Sequence, residues 1–188
     1  GIGLAFVGLI KGYKVIITMP DKMSQEKSNL LKLLGAEIIR TPTNVPSDSP
    51  ESHISVAKKI RDEINLLKPN TAHILDQYSN VSNPNVHYDT TALEILEQTN
   101  NKIDMIVIGV GTGGTITGIS KRVKEKFGNE IQVIGVDPYG SLLATGDEDV
   151  YNYNIEGIGY DFIPEVLDKE LIDDWVKTND KDSFNMSR

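Results

Sequence analysis

Short apolar runs alternate along this chain with stretches in which apolar residues recur every three or four positions. Val15-Ile16-Ile17 is a run of the first kind, typical of a buried strand, and it is followed by Pro20, which ends a central strand. The second kind has a period near 3.6 and indicates a helix that buries one face. Its clearest example is the stripe formed by Ile54, Ala57, Ile60, Ile64 and Leu67.

This alternation predicts the order of the secondary structure. Helices are predicted at 1–11, 24–34, 49–67, 91–98 and 116–127. Strands are predicted at 13–19, 36–40, 72–75, 103–108 and 131–136. Because strands alternate with helices, we expect an α/β fold of parallel, twisted sheets with helices on both faces.

Capping residues mark several predicted helix ends. Gly12 is placed where a glycine ends a helix in the left-handed conformation, and Ser24 can cap the next helix. The sequence Ser-Pro-Glu at 49–51 predicts a helix start with proline in the first turn. Thr-Ala-Leu-Glu at 91–94 has the form of a capping box, so a helix is expected to begin there.

The two ends of the chain carry weaker signals. The apolar first eleven residues have no capping residue and no initiator Met before them, so we expect a fragment that is incomplete at both ends. The acidic stretch 146–154 is predicted to be a solvated loop. Trp175, with Ile172 and Val176, is predicted to be a core residue on a helix.

A glycine-rich segment, Gly-Val-Gly-Thr-Gly-Gly-Thr-Ile-Thr-Gly at 109–118, is the most informative feature of the chain. It follows the apolar run 103–108 and precedes a helical pattern. A glycine turn between a strand and a helix leaves backbone N–H groups uncovered at the positive end of the helix dipole, which favours a phosphate. Threonine hydroxyls add further donors. The segment therefore predicts a phosphorylated cofactor or substrate.

Three phosphate sites are possible in principle. A P-loop needs Lys-Ser or Lys-Thr after its last glycine, and Thr115-Ile116 stands there instead. A dinucleotide fingerprint is matched by Gly109, Gly111 and Gly114, with Asp137 as a ribose-binding or merely turn-capping acid. A compact cup formed by 111–115 would suit a single terminal phosphate. The sequence therefore leaves two alternatives, an NAD-binding oxidoreductase domain and a cup for a single phosphate.

Composition narrows the range of partners. A net charge of −8 argues against nucleic-acid binding, and the absence of cysteine excludes disulfides and fits a reducing compartment. The three histidines, His53, His73 and His87, lack metal-binding spacing, so no metal is expected. All three are predicted to be structural, and for His87 the alternative is that it supports the site. With no apolar run near ~18 residues and no basic leader, we expect no membrane contact and a cytoplasmic location.

At this point the sequence resembles a known family over essentially its whole length. It is similar to the fold-type II pyridoxal-phosphate enzymes and, within them, to the cystathionine β-synthase group. The matching segments are 18–24, 34–37, 76–78, 83–84, 87–95, the glycine loop, 135–138 and 156–164. Gly-Tyr-Asp-Phe at 159–162 together with Asp-Gln-Tyr at 76–78 favours this group over cysteine synthases and threonine dehydratases.

The resemblance implies a role for particular residues. Gly111, Thr112, Gly113, Gly114 and Thr115 would hold the 5′-phosphate of pyridoxal 5′-phosphate. Gln77 and Tyr78 would lie near the substrate carboxylate and the cofactor. Gly157, Gly159 and Tyr160 would belong to a catalytic segment that closes over the amino-acid substrate. Residues 1–78 would be the remainder of a smaller mobile lobe, and 79–188 part of the larger lobe.

The resemblance also implies a reaction, the condensation of L-serine with L-homocysteine to cystathionine and water. The family is commonly dimeric, so a homodimer or higher homo-oligomer is expected, and haem is possible in a full-length protein. The family's Schiff-base lysine lies upstream of a Ser-Gly-Asn-Thr motif, and neither is in this sequence, so this chain alone is expected to be inactive. A cysteine synthase-type enzyme and a catalytically dead fragment are the further alternatives.

Overall fold

The computed structural model describes residues 1–46, 48–146 and 150–188, which form two compact units, 1–74 and 75–188. Part of the acidic stretch that was predicted to be a loop, residues 147–149, lies outside the described residues. The interpretation of 1–78 and 79–188 as remainders of a mobile lobe and a larger lobe stays a prediction.

The first unit is a two-stranded parallel sheet with helices. Its elements are α1 (Ile2–Lys11), β1 (Ile16–Pro20), α2 (Gln25–Leu33), β2 (Glu37–Thr41) and α3 (His53–Leu67). β1 and β2 pair in parallel, with Ile16 opposite Glu37. Gly12 ends α1 at φ 70°, as its position predicts. The buried core of the unit consists of Ala5, Met19, Leu31 and Ala36.

Three local predictions for this region need correction. Helix α3 begins at His53 rather than at 49–51, because the Ser52 hydroxyl accepts a hydrogen bond from the Ser55 N–H and caps the helix. Ser24 does occupy the N-cap of α2, but its side chain makes no capping hydrogen bond. Residues 72–75 form no strand, and the amide of Asn65 bonds both the N–H and the C=O of Ala72.

The second unit is built on a three-stranded parallel sheet in the order β3-β4-β5. Its strands are β3 (Met105–Gly109), β4 (Gln132–Pro138) and β5 (Asp174–Thr178). Its helices are α4 (Ser82–Val86), α5 (Ala92–Gln98), α6 (Gly114–Phe127) and α7 (Asp180–Met186), with a 3₁₀ turn at Lys169–Leu171. The predicted α/β class with parallel sheets is confirmed.

The capping box predicted at 91–94 is wrong. A π-helical turn, His87–Thr91, joins α4 to α5, and Thr91 has helical φ and ψ angles and makes no side-chain cap. The helical run therefore starts at Ser82, whose N–H donates to the Asn80 side chain. A capping box requires its first residue to be non-helical, and continuation of the helix removes that condition.

Trp175 lies in a strand rather than in the predicted helix. It belongs to β5 and pairs with Gly135 of β4. A Cβ on Gly135 would lie 2.8 Å from the Trp175 ring, so the indole covers the glycine. β3 also differs from the fully buried strand expected, because Met105 and Val107 are exposed on one face.

Helix α6 connects the two apolar clusters of this unit and thereby fixes the glycine loop that precedes it. Ile116 belongs to a cluster with Val110 and Leu143, whereas Ile119 and Val123 pack in a second cluster. These α6 side chains are at most 2% exposed. Because burying one such side chain contributes about 1.5–3 kcal/mol, α6 and its first turn are strongly held in place.

Candidate cofactor and substrate site

The glycine loop lies at the carboxyl edge of the parallel sheet, where β3 ends and α6 begins. β3 ends at Gly109, and α6 begins at Gly114 after a left-handed Gly113 with φ 87°. Ligands of open α/β sheets bind at this edge. The structure therefore confirms the strand, loop and helix arrangement that the sequence predicts for 103–127.

The backbone of the loop presents a group of uncommitted donors. Within the described residues, no carbonyl or side chain accepts a hydrogen bond from the N–H groups of 111–116. The first N–H groups of a helix lack intrahelical partners, and here they stand at the positive end of a 14-residue helix. Such a set of donors matches the oxygens of a phosphate.

The glycines of the loop are required by close neighbours. A Cβ on Gly111 would lie 2.6 Å from the Gly157 carbonyl oxygen. A Cβ on Gly113 would lie 2.6 Å from the Cβ of Leu167, and the φ of Gly113 already disfavours other residues. A Cβ on Gly114 would overlap the amide of Asn83. The loop can thus hold its shape only with glycine at these three positions.

Both threonines of the loop are contacted from the helical run 82–98. Asn83 Nδ2 donates to Thr112 Oγ1 at 3.0 Å and to the Gln77 carbonyl at 2.8 Å. Nε2 of His87 lies 3.1 Å from Thr115 Oγ1. Asn83 was not predicted to be a site residue, and His87 was predicted to be structural, with support of the site as the lesser alternative. Their spacing of four, one helical turn, is the signal that could have found them.

Three aromatic rings form a second group in the same unit. The hydroxyls of Tyr78 and Tyr160 are 3.3 Å apart, and their ring centroids lie 5.3 Å apart in an edge-to-face arrangement. Phe162 lies 5.1 Å from Tyr78 and 5.3 Å from Tyr160. The structure therefore brings two of the predicted site residues, 82 positions apart, into direct contact.

The segment 157–160 packs directly on the glycine loop. The Gly159 N–H donates to the Val110 carbonyl at 2.8 Å, and the Gly157 carbonyl faces Gly111. Gly157 and Gly159 have φ values of 93° and 81°, which glycine adopts without strain. The backbone of Tyr160 is held on both sides by the Ser141 hydroxyl. These contacts place the predicted catalytic segment beside the predicted phosphate loop.

Burial keeps the phenols of this group protonated. Desolvation raises the pKa of Tyr160 and of Tyr78 above the usual value near 10, and the charge of Asp161 adds to both shifts. Desolvation, with the charge of Asp137, raises the pKa of Tyr153 to about 12. At neutral pH these hydroxyls can donate hydrogen bonds but cannot act as phenolate bases.

Gln77 and Asp137 differ in their access to solvent. Gln77 is exposed next to Tyr78, and its carbonyl is tied to Asn83. Asp137 is fully buried, and its Oδ2 accepts from Lys177 Nζ at 3.0 Å and from the Ala144 N–H at 3.1 Å. Its predicted turn-capping role fits these contacts. Because this carboxylate is fully buried, a ribose hydroxyl cannot reach it in this structure, which disfavours an NAD site.

Comparison with known proteins identifies the family. The profile of the family described as pyridoxal-phosphate dependent enzymes matches residues 1–188. The chain belongs to this family. The predicted cup of 111–115 therefore fits the phosphate that such a cofactor carries, because its uncommitted N–H groups, threonine hydroxyls and glycine-lined shape are suited to one terminal phosphate.

Individual relatives agree with the family. The chain is 62% identical to a cystathionine beta-synthase of Dictyostelium discoideum, covering all of this chain and 37% of that protein. It is 40% identical to a cysteine synthase of Staphylococcus aureus, of which it covers 57%. The structure of a hydrogen sulfide-producing enzyme (Fn1220) from Fusobacterium nucleatum superposes with a TM-score of 0.83 at 36% identity, over 98% of this chain and 58% of the other. The chain thus spans about a third to three fifths of these relatives.

In residues 1–46, 48–146 and 150–188, every helix is too short or too polar to cross a bilayer. The same residues contain no cluster of three or more His, Asp or Glu side chains arranged to hold a metal ion.

Proposed function

We propose that this chain is the central part of a pyridoxal-phosphate-dependent lyase that condenses L-serine with L-homocysteine. In this β-replacement the Cβ–O bond of serine breaks and a Cβ–S bond to the homocysteine sulfur forms. The thiol proton leaves with the serine hydroxyl as water, so the products are cystathionine and water. The 62% identity to a cystathionine beta-synthase supports this choice among the reactions of the family.

The observation that carries the proposal is the cup at the start of α6. One short loop brings together two threonine hydroxyls, the positive end of the helix and the backbone N–H groups of 111–116, which have no acceptor among the residues that the structure describes. We propose that Gly111 through Thr115 hold the 5′-phosphate there. The bound cofactor supplies an electron sink for carbanion chemistry at the amino-acid substrate.

The aromatic group is proposed to lie on the substrate side of this cup. Tyr78 and Tyr160 stay neutral because burial raises their pKa values. The Tyr78 hydroxyl donates its hydrogen to the Tyr160 hydroxyl, so the hydrogen of Tyr160 is the one that can be donated to an anionic or carbonyl oxygen. Gln77, exposed beside them, is proposed to contact the substrate carboxylate. The segment with Gly157 and Gly159 is proposed to close over the amino acid and exclude water.

The assembly and location of the protein follow from the same proposal. We propose that the protein containing this chain forms a homodimer or a larger homo-oligomer, acts on small molecules and works in the cytoplasm. The absence of cysteine is compatible with that reducing compartment, because no disulfide is needed to stabilise the fold. Sedimentation of the purified protein tests the oligomeric state.

The experiment measures cofactor binding and product formation by the purified protein that contains this chain. Equilibrium dialysis gives the dissociation constant of pyridoxal 5′-phosphate, and mass spectrometry detects cystathionine formed from serine and homocysteine. The variant Gly111→Ala places a Cβ 2.6 Å from the Gly157 carbonyl, so the cofactor should bind at least about tenfold more weakly, or about 1.4 kcal/mol.

Gly3→Ala is the matched control, because a Cβ on Gly3 meets no atom within 4 Å. Its cofactor affinity should equal that of the unaltered protein. Equal affinities in Gly111→Ala and Gly3→Ala would contradict the location of the cup. A protein that binds no pyridoxal 5′-phosphate at all would contradict the proposed function.

A cysteine synthase-type reaction is the second candidate, supported by the 40% identity to a cysteine synthase. The two reactions differ in the group that leaves and in the nucleophile. The same protein is therefore offered O-acetylserine with sulfide in parallel with serine and homocysteine. A larger kcat/KM for O-acetylserine with sulfide would favour the second candidate over the first.

A further inference from the structure

The two threonines of the phosphate cup share an unusual environment. Each is contacted by a nitrogen-bearing side chain from the same helical run, Thr112 by Asn83 and Thr115 by His87. The two side chains are four positions apart, and the π-helical turn begins at the second of them. Extra residues in a helical turn often mark functional sites, since they re-aim side chains.

The direction of the first hydrogen bond can be deduced from chemistry. The carbonyl of Gln77 can only accept, so the atom of Asn83 that faces it at 2.8 Å must be the amide nitrogen. That nitrogen carries a second hydrogen and lies 3.0 Å from Thr112 Oγ1. Thr112 therefore accepts from Asn83, and its own hydroxyl hydrogen is left to point elsewhere.

The direction of the second bond depends on the tautomer of His87. Burial lowers the pKa of His87, so the ring is neutral at pH 7 and carries one N–H. Nδ1 lies 3.0 Å from Thr91 Oγ1. Among the described residues the Thr91 hydroxyl has no other hydrogen-bond partner, whereas neighbouring Thr90 donates to the Val86 carbonyl.

These contacts favour one arrangement over the other. If Thr91 donates to Nδ1, the ring carries its proton on Nε2 and donates to Thr115 Oγ1. The Thr91 hydroxyl and both ring nitrogens of His87 then each take part in a hydrogen bond, and the Thr115 hydroxyl hydrogen is free for a ligand. In the opposite tautomer Nδ1 carries the proton and donates to Thr91, whose own hydroxyl hydrogen then lacks a partner. The Thr115 hydroxyl would donate its hydrogen to Nε2, so it could not donate to a ligand in the cup.

We propose that Asn83 and His87, with Thr91 behind His87, are positioning residues that turn the hydroxyl hydrogens of Thr112 and Thr115 toward the cofactor phosphate. This inference rests on the proposed function and deepens it. It also gives Gly114 a second role, because a side chain there would overlap the Asn83 amide and displace it from Thr112.

The test compares two probes that differ only in the phosphate, pyridoxal 5′-phosphate and pyridoxal, by equilibrium dialysis with cofactor-free protein. Asn83→Ala removes the amide that donates to Thr112 without adding a charge that would itself repel a phosphate. We expect pyridoxal 5′-phosphate to bind about fivefold more weakly and pyridoxal to bind within about twofold of the unaltered protein. A general loss of structure would weaken both probes together.

Thr91→Val and Thr90→Val form the matched pair. Both remove one hydroxyl from the same π-helical turn with little change in shape, but only Thr91 contacts His87. Thr91→Val should weaken pyridoxal 5′-phosphate binding about fivefold, as expected for the loss of one oriented donor, with pyridoxal binding unchanged. Thr90→Val should leave the affinities for both probes unchanged.

The outcomes separate the inference from the proposed function. Unchanged binding of pyridoxal 5′-phosphate in Asn83→Ala and Thr91→Val, with a loss in Gly111→Ala, would overturn the inference and leave the cup intact. Equal losses for both probes would also overturn it, since they indicate a structural role. If the unaltered protein shows no preference for the phosphorylated probe, the phosphate cup itself is wrong.

Discussion

The buried ion pair between Lys177 and Asp137 gives the sharpest prediction for stability. The Asp137 side chain is 0% exposed and that of Lys177 only 12% exposed, and Nζ lies 3.0 Å from Oδ2. The ammonium also donates to the Ser141 carbonyl at 2.9 Å. Because the Ser141 hydroxyl holds the backbone of Tyr160, this pair supports the candidate site as well as the fold.

We expect Lys177→Met to lower the free energy of unfolding by about 3–4 kcal/mol. The change leaves a carboxylate in the interior with no opposite charge, and the loss of one partner from a buried pair costs about 3–5 kcal/mol. The small exposure of Lys177 places the value toward the lower end of this range. The double variant Asp137→Asn with Lys177→Met removes the charge as well, and should recover at least about 2 kcal/mol.

The assay is chemical denaturation followed by the fluorescence of Trp175, the only tryptophan in the sequence. Lys124→Met is the matched control, because the Lys124 side chain is similarly buried, at 15% exposed, but its partner Asp173 is 35% exposed. Water can solvate that carboxylate, so this control should cost no more than about 1 kcal/mol. Equal losses in the two lysine variants, or no recovery in the double variant, would refute the reasoning.

Two further predictions concern helix packing and pH. Gly118→Ala would drive a Cβ into the Pro84 carbonyl, so we expect chemical denaturation to show a free energy of unfolding lower by about 1–3 kcal/mol. Gly3→Ala places its Cβ in open space and should leave this free energy unchanged or raise it by up to about 1 kcal/mol. Equal effects of the two changes would exclude a close contact at Gly118. Burial raises the pKa of Tyr153 to about 12, above the value near 10 of the unfolded chain. The protonated phenol therefore stabilises the fold below pH 10, and this stabilisation is lost as the pH rises toward 12. Tyr153→Phe should reduce the loss of stability between pH 10 and 12, and an unchanged pH profile would contradict this assignment.

Local features of the fold could be predicted from the sequence with good success. The end of α1 at Gly12 and the strand, glycine loop and helix at 103–127 are confirmed. In both places a single short segment of sequence contains all the residues that determine the local structure. Apolar periodicity identifies the buried face, and glycine supplies backbone conformations that other residues avoid.

Other features depend on partners that are distant in sequence. Thr91 has the pattern of a helix start, but the helical run continues through it and packs His87 against Thr115. Trp175 has the pattern of a helical core residue, but it pairs in a strand and covers Gly135. Neither partner is visible in the local sequence, so propensity alone predicted the wrong element.

The sequence by itself determined the α/β class, the glycine loop and its place between a strand and a helix, because these follow from local periodicity and from glycine chemistry. Only the tertiary structure decided which groups surround that loop. The contact of Tyr78 with Tyr160, and the pairing of Asn83 with Thr112, depend on how helices pack on the sheet. Such contacts join residues tens of positions apart, and only the folded chain brings them within hydrogen-bonding distance.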